Sequence, residues 1–265
     1  MFLVGDIGNT EVKIVLFNNN KKIIKRFILK TNEINNKYLS KKILLNKKYL
    51  NKIQKILFSS VVPTAFLKFK YFFKKKLKKK CYELKELPLN KIINIKVNKK
   101  QVGSDRLANS LAVTNEKKNF IVVDFGTATT FDVIVKDSYL GGVIAPGVDL
   151  SLKTLSSKAT LIPKIRLSKN SQVIGKNTIA AVRSGFYWGY AGMIESIIKL
   201  ISQQSKKSYK VIITGGYSNL FKNSINLKSI VKKDLTIQGL INVISSLAAI
   251  PKEAVPDLYF ETFPS

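Results

Sequence analysis

The sequence predicts an α/β protein made of two related halves, and three observations carry that prediction. Near the start, the apolar run Phe2-Leu3-Val4-Gly5 is followed by Asp6-Ile7-Gly8-Asn9-Thr10 and a second run, Val12 to Phe17. Near the middle, apolar residues 120–123 are followed by Asp124-Phe125-Gly126-Thr127-Ala128 and a β-branched run from Thr129 to Val135. Aligning Asp6 with Asp124 also superposes Gly8 on Gly126 and Thr10 on Ala128. Each stretch reads as a strand, an acid, a glycine turn and a return strand. Around both hairpins, short apolar runs alternate with longer segments of helical spacing, and no low-complexity linker separates the halves.

The turns carry the chemistry. Glycine lets the backbone approach an anion closely, and N–H groups and hydroxyls at the turn can hold a phosphate. The acid at the strand end can meet the cation that accompanies the phosphate. One such turn alone would read as an ordinary hairpin with an acidic tip. Two copies favour a duplicated fold with nucleotide between its halves.

The first half is assigned to residues 1–116. Strands are expected at 2–6, 11–17 and 22–29, the last two separated by Asn18-Asn19-Asn20. Residues 36–55 read as one helix with a basic outer face and Ile43, Leu44, Tyr49, Leu50 and Ile53 turned inward. The strand from Lys55 ends in Ser59-Ser60-Val61-Val62-Pro63, whose serines either reach a ligand or cap the next helix. Residues 64–80 form that helix. Its aromatics are expected in the core and its lysines in water, in preference to a membrane or nucleic-acid face. Cys81, Tyr82 and Glu83 begin another strand, with Cys81 simply packed, and residues 90–98 are a loop or edge strand. Gly103 makes a turn, and Ser104 or Asp105 caps a small-residue helix from Leu107 to Asn115.

The second half is assigned to 117–250, with a loosely held tail at 251–265. Tyr139 to Ile144 continue the sheet, Ala145-Pro146-Gly147 turn sharply, and a helix runs from 148 to about 158. Thr160 to Leu167 are extended. A long helix over 176–203 carries Ala180, Ala181, Gly185, Gly189 and Gly192, small residues that let another helix approach, from this chain or a partner. Lys210 to Thr214 form a buried strand. Gly215-Gly216 then either lie beneath a nucleotide base or merely turn the chain, and a last helix spans 236–249.

Composition narrows the chemistry. There is no histidine, so histidine triads and His-containing metal sites are excluded, and a general base must be a carboxylate, lysine, tyrosine or thiol. Cys81 is the single cysteine, which rules out an intrachain disulfide and fits a reducing compartment. The start lacks the basic and long apolar segments of a secretory signal, and no apolar run spans a bilayer; a cytoplasmic, membrane-free chain is expected. The net charge of +30 is almost all lysine, spread with asparagine and isoleucine as in AT-rich coding. Only Arg26, Arg106, Arg166 and Arg183 could grip phosphate bidentately, so no specific nucleic-acid partner is expected.

In order and spacing, these motifs resemble type III pantothenate kinase. The matching pieces are Asp6 to Thr10, Ser59 to Pro63, Gly103 to Arg106, Asp124 to Thr129, Gly141 to Gly147, Gly175 to Thr178, Ser184-Gly185 and Thr214 to Gly216. The resemblance implies two ribonuclease-H-like domains of the acetate and sugar kinase/heat-shock cognate/actin superfamily around an ATP cleft, assembled as a homodimer. It implies ATP-dependent phosphorylation of pantothenate to 4′-phosphopantothenate, the first step of coenzyme A synthesis. Asp6, Ile7, Gly8, Asn9, Thr10, Glu11, Val12 and Lys13 would hold the ATP phosphates, with Asp6 helping to place Mg²⁺. Asp105 would be the general base. Gly103, Ser104, Asp105 and Arg106 would line the pantothenate pocket, with Thr178 also touching pantothenate. Asp124 would bind a monovalent cation, potassium or ammonium, and Thr127 would touch ATP. Where the family usually has an aromatic and an Asn-Pro pair before the Gly-x-Asp-Arg motif, this chain has Lys96-Val97-Asn98-Lys99-Lys100. Alternatives are a non-catalytic regulator of the Bvg accessory factor type on the same fold, another kinase of the superfamily, or a basic nucleic-acid-binding protein.

Overall fold

Strand β1 (Phe2–Ile7) is central to its sheet because it is apolar on both faces: Leu3 and Ile7 point to one side, Phe2 and Val4 to the other, all buried. In the computed structural model, which describes residues 1–43, 47–170 and 172–249, β1 pairs antiparallel with β2 (Glu11–Phe17), and β2 with β3 (Ile23–Lys30). On its other side β1 runs parallel to β4 (Lys55–Ser60), which runs parallel to β5 (Cys81–Glu83). The tail 251–265 and Leu44 of the expected helix lie outside the described residues.

The single helix expected over 36–55 is two shorter ones, α1 (Asn36–Ile43) and α2 (Lys47–Leu50). Asn51, a poor helix former, follows α2, and the Lys52 and Ile53 N–H groups bond back to Tyr49 and Leu50 in a tighter turn. Ile43, Leu50 and Ile53 still enter the core. Helix α3 (Pro63–Leu77) starts with proline at its first turn and ends at Lys78, whose φ of 54° is left-handed. Phe66, Phe69 and Phe73 are buried around Phe58, with the Phe58 and Phe69 ring centres 5.0 Å apart, and the buried Phe72 packs edge-on against Phe73. Lys68, Lys74, Lys75 and Lys76 are exposed, so the basic aromatic pattern is a core helix with a wet outer face. A two-residue strand, β6 (Asn94–Ile95), and helix α4 (Ser104–Leu111) follow. Helix α4 ends four residues before the expected end at Asn115.

The second unit repeats the pattern. Strand β7 (Asn119–Phe125) pairs antiparallel with β8 (Ala128–Val135), and β8 with β9 (Ser138–Pro146). On its other side β7 runs parallel to β10 (Lys210–Gly215), which runs parallel to β11 (Ser229–Val231). Within the unit the order β9-β8-β7-β10-β11 reproduces β3-β2-β1-β4-β5 strand for strand and direction for direction. Helix α5 (Val148–Lys158) and the long α6 (Thr178–Ser205) connect β9 to β10, and the single-turn α7 (Ser218–Phe221) lies between β10 and β11. One face of α6, through Tyr187, Ala191, Ile194 and Ile198, packs into the core with Ile121, Val123, Phe131 and Phe221.

The last helix, α8 (Leu235–Ala249), returns to the first unit. The compact units are Met1–Asn115 with the chain from Leu235, and Glu116–Asp234. The helix thus lies outside the half, 117–250, to which its place in the sequence assigns it. Its apolar residues Leu235, Ile237, Leu240 and Ile241 are buried, and it packs on α4, β1 and β4. Gly239 makes this close approach possible, because a Cβ there would stand 1.8 Å from the Ala108 carbonyl oxygen. The Thr236 hydroxyl adds a buried bond to Asn109 at 2.9 Å.

Candidate active site

In the first unit the parallel strands β1, β4 and β5 end at Ile7, Ser60 and Glu83. Ligands of α/β sheets bind outside such carboxyl ends. Asp6 lies beside Ser59 in the parallel register, and the fully buried Ser59 hydroxyl has no hydrogen-bond partner. The Ser60 hydroxyl accepts from the Val62 N–H at 3.1 Å, so neither serine caps α3. At the turn, the Gly8 N–H closes onto the Glu11 carbonyl at 3.0 Å. The Thr31 hydroxyl donates to the Gly8 carbonyl at 2.7 Å, and the Thr31 N–H to that of Thr10 at 3.0 Å. Asn9, Thr10 and Glu11 are left at an exposed tip whose base is held from the end of β3. Val12 points into the core, and Lys13, opposite Asp6, sits 3.5 Å from Glu11.

Gly103, not Ser104 or Asp105, is the residue before the first turn of α4, and no side chain caps it. Ser104 instead turns inward, buried, and donates its hydroxyl to Glu83. The Asp105 carboxylate folds back along its own backbone and accepts the Arg106 N–H at 2.8 Å. A Cβ at position 103 would stand 2.4 Å from that carboxylate oxygen, so a side chain there would push the carboxylate out of this position. Burial pushes the Asp105 carboxyl up from the usual aspartate range, against the opposing pull of the Arg106 N–H, the Arg106 charge and Lys85. The strand register between Asp6 and Ser59, the Glu83 contact with the Ser60 N–H and the Ser104–Glu83 bond thus gather the Asp6 and Asp105 motifs at one end of the sheet.

In the second unit, Asp124, one residue before the end of β7, lies beside Thr214 of β10. Gly215 follows at φ 85°, a left-handed value, with the Asp124 carboxylate 2.6 Å from where a Cβ would be. The hairpin turn here is one residue shorter than its counterpart: Asp124 faces Thr130, whereas Asp6 faces Lys13. Thr127 is at the exposed tip, and Gly147 packs so closely on its backbone that a Cβ would meet the Thr127 carbonyl at 2.1 Å. Thr178 opens α6, capped by the Asn177 side chain, which accepts the Ala180 N–H at 2.8 Å.

The sequence reading missed Glu83, which appeared there only as part of a strand. Its carboxylate accepts from Ser104, from the Lys85 N–H at 2.6 Å and from the Ser60 backbone. Burial raises its pKa, while those bonds and the Lys85 charge oppose the rise. The available signal was scarcity: an acid at a strand end in a chain with 16 acids and 46 bases. The described residues hold no group of three or more Cys, His, Asp or Glu that could cage a metal. A single carboxylate such as Asp6 fits instead a divalent ion shared with substrate phosphates.

Comparison with known proteins decides between the readings. Residues 2–200 match the family described as type III pantothenate kinase. Over 242 residues the chain is 61% identical to a type III pantothenate kinase of Pelagibacter ubique (strain HTCC1062), covering 91% of this chain and 97% of the relative. The chain belongs to the type III pantothenate kinase family. Among solved structures, a Campylobacter jejuni protein described as a Baf family transcriptional activator aligns with a TM-score of 0.61 at 22% identity, over 94% of this chain and all of that one. The ADPNP-bound activator of 2-hydroxyisocaproyl-CoA dehydratase from Clostridium difficile aligns with a TM-score of 0.56 at 13% identity, over 98% of each chain. At these identities the likenesses show a shared fold alone, whereas the family match and the 61% identical relative are both to pantothenate kinases and do not favour the regulator reading. No described helix is long and apolar enough to cross a membrane.

Proposed function

We propose that the chain transfers the γ-phosphoryl group of ATP to the primary hydroxyl of pantothenate, giving 4′-phosphopantothenate and ADP at the head of coenzyme A synthesis. The observation that carries this reading is Asp105, a half-buried carboxylate at the start of α4 whose desolvation raises its basicity, in a chain that belongs to a pantothenate kinase family. Asp105 takes the hydroxyl proton as the oxygen bonds to the γ-phosphorus and the bond to the β-phosphate oxygen breaks. Gly103, Ser104 and Arg106 line the pantothenate side with Thr178. The turn from Asp6 to Lys13, with Thr127, holds the phosphates of ATP. A divalent ion, Mg²⁺ by donor type, supplies charge neutralisation at the phosphates and rests on Asp6. Asp124 takes a monovalent cation, potassium or ammonium.

Pairing of two copies through α6 belongs to the same proposal. A Cβ placed on Gly185, Gly189 or Gly192 would meet nothing within 4 Å, so this small-residue face has room for a second helix. The reaction is assigned to the cytoplasm, where ATP is available and the buried Cys81 stays a thiol. The test is turnover of Asp105→Asn: loss of a positioned base lowers kcat by roughly 10²–10⁴, with ATP binding retained. A variant that binds ATP and turns over at the wild-type rate removes Asp105 from the role.

A further inference from the structure

The corner Glu83-Leu84-Lys85 holds the loop before α4 from both sides. The Glu83 carboxylate accepts the Ser104 hydroxyl, the Lys85 N–H at 2.6 Å and the Ser60 N–H. The Lys85 ammonium, one residue beyond the turn, donates to the Lys100 carbonyl at 3.1 Å and the Val102 carbonyl at 2.9 Å. Both ends of 100–104 are therefore tied to the same three residues. Farther back, Lys99 donates to the Leu87 carbonyl at 3.0 Å, and the Asn98 side chain accepts the Lys100 N–H at 3.0 Å. The segment that departs from the family pattern, Lys96 to Lys100, is thus anchored by the Lys99 and Asn98 side chains and the Lys100 backbone.

The geometry of α4 makes this anchoring matter. No side chain caps the first turn of α4, so its side-chain tie to the neighbouring strand end is the Ser104 hydroxyl donating to Glu83. Ser104 is 1% exposed and adjoins Asp105, so the direction of the Ser104 hydroxyl and that of the Asp105 carboxylate are set together by one backbone. A carboxylate can accept three hydrogen bonds at once, whereas an amide in its place turns one acceptor into a donor facing another donor.

We infer that Glu83 is a positioning residue of the kinase: through Ser104 it fixes the first turn of α4 and so aims the Asp105 carboxylate. The inference rests on the reading of Asp105 as the base. It assigns Glu83 no contact with substrate.

The experiment combines kinetics with amide exchange on the full chain. Glu83→Gln and Ser104→Ala each lower kcat with pantothenate by about ten- to a hundredfold, since small misplacements of a reacting group cost that much, and leave the KM for ATP unchanged. The double variant loses no more than the worse single one, because both remove one interaction. In Glu83→Gln the amides of 103–107, including the Arg106 N–H held by Asp105, exchange faster, while those of β1 and β7 do not. Additive losses overturn the inference, as does unchanged exchange at 103–107 or a lower melting temperature with kcat intact. Should the wild-type protein fail to phosphorylate pantothenate, the proposed function falls, and the exchange arm still decides whether Glu83 holds this turn.

Discussion

At Asp105, stability and function pull in opposite directions. Its pKa is raised in the folded chain, so the fold favours the protonated form and the ionised form weakens it near neutrality. The stability that the protonated group retains is complete below the unfolded-state pKa and is lost as pH rises through the higher folded value. Asp105→Asn, which stays neutral, should therefore melt above wild type at pH 7, and the gap should close as pH falls below the ordinary aspartate range. Calorimetry across pH checks this; equal melting temperatures at pH 7 would contradict it. The acid limb of kcat/KM should likewise lie above the pH expected for an unperturbed aspartate, because the base must be ionised. Gly215 tests the second unit: at φ 85°, with Phe125 and Asp124 oxygens where a Cβ would go, Gly215→Ala should cost on the order of 1–3 kcal/mol. Chemical denaturation measures that loss. The sequence marks Asp6, Asp105 and Asp124 as candidates because each belongs to a short motif with its own glycine. Glu83 was not, because its three donors come from residues 60, 85 and 104, which only the folded sheet brings together.

At the scale of elements, α3 shows how far a pattern can be trusted. Its phenylalanines recur at helical spacing and Phe69 packs on Phe58, so Phe69→Ala should cost about 3–5 kcal/mol. Lys74→Ala on the exposed face should change stability by no more than about 0.5 kcal/mol. Equal effects in urea titrations would contradict the division of this helix into a core face and a wet face. The same reasoning overreached at 36–55, where the apolar spacing was right but said nothing of where the helix would stop. Helix α6 carries the assembly proposal. Gly189→Leu fills a face with open space beside it, so the isolated chain should fold normally while its dimer is lost on size-exclusion chromatography.

The whole molecule repeats one sheet twice, with β9-β8-β7-β10-β11 following β3-β2-β1-β4-β5. That duplication was readable because both central strands begin an apolar hairpin at an acid and a glycine. The return of α8 to the first unit was not readable, since strand and helix periods mark an element's inner face and not which core receives it. Gly239 and its contact with Ala108 carry that choice, and a lone glycine in an apolar helix has many other uses. The excess of lysine stands apart from the chemistry: many of these lysines lie on exposed faces such as that of α3, whereas Lys85 and Lys99 hold backbone carbonyls beside the Asp105 motif. The measurement that tests the account most directly is ATP-dependent phosphorylation of pantothenate by the purified full chain with Mg²⁺, run in potassium and in sodium. The account predicts 4′-phosphopantothenate and ADP in equal amounts, faster in potassium, and little of either from Asp105→Asn. A folded wild-type protein that yields no phosphopantothenate in either salt would contradict it.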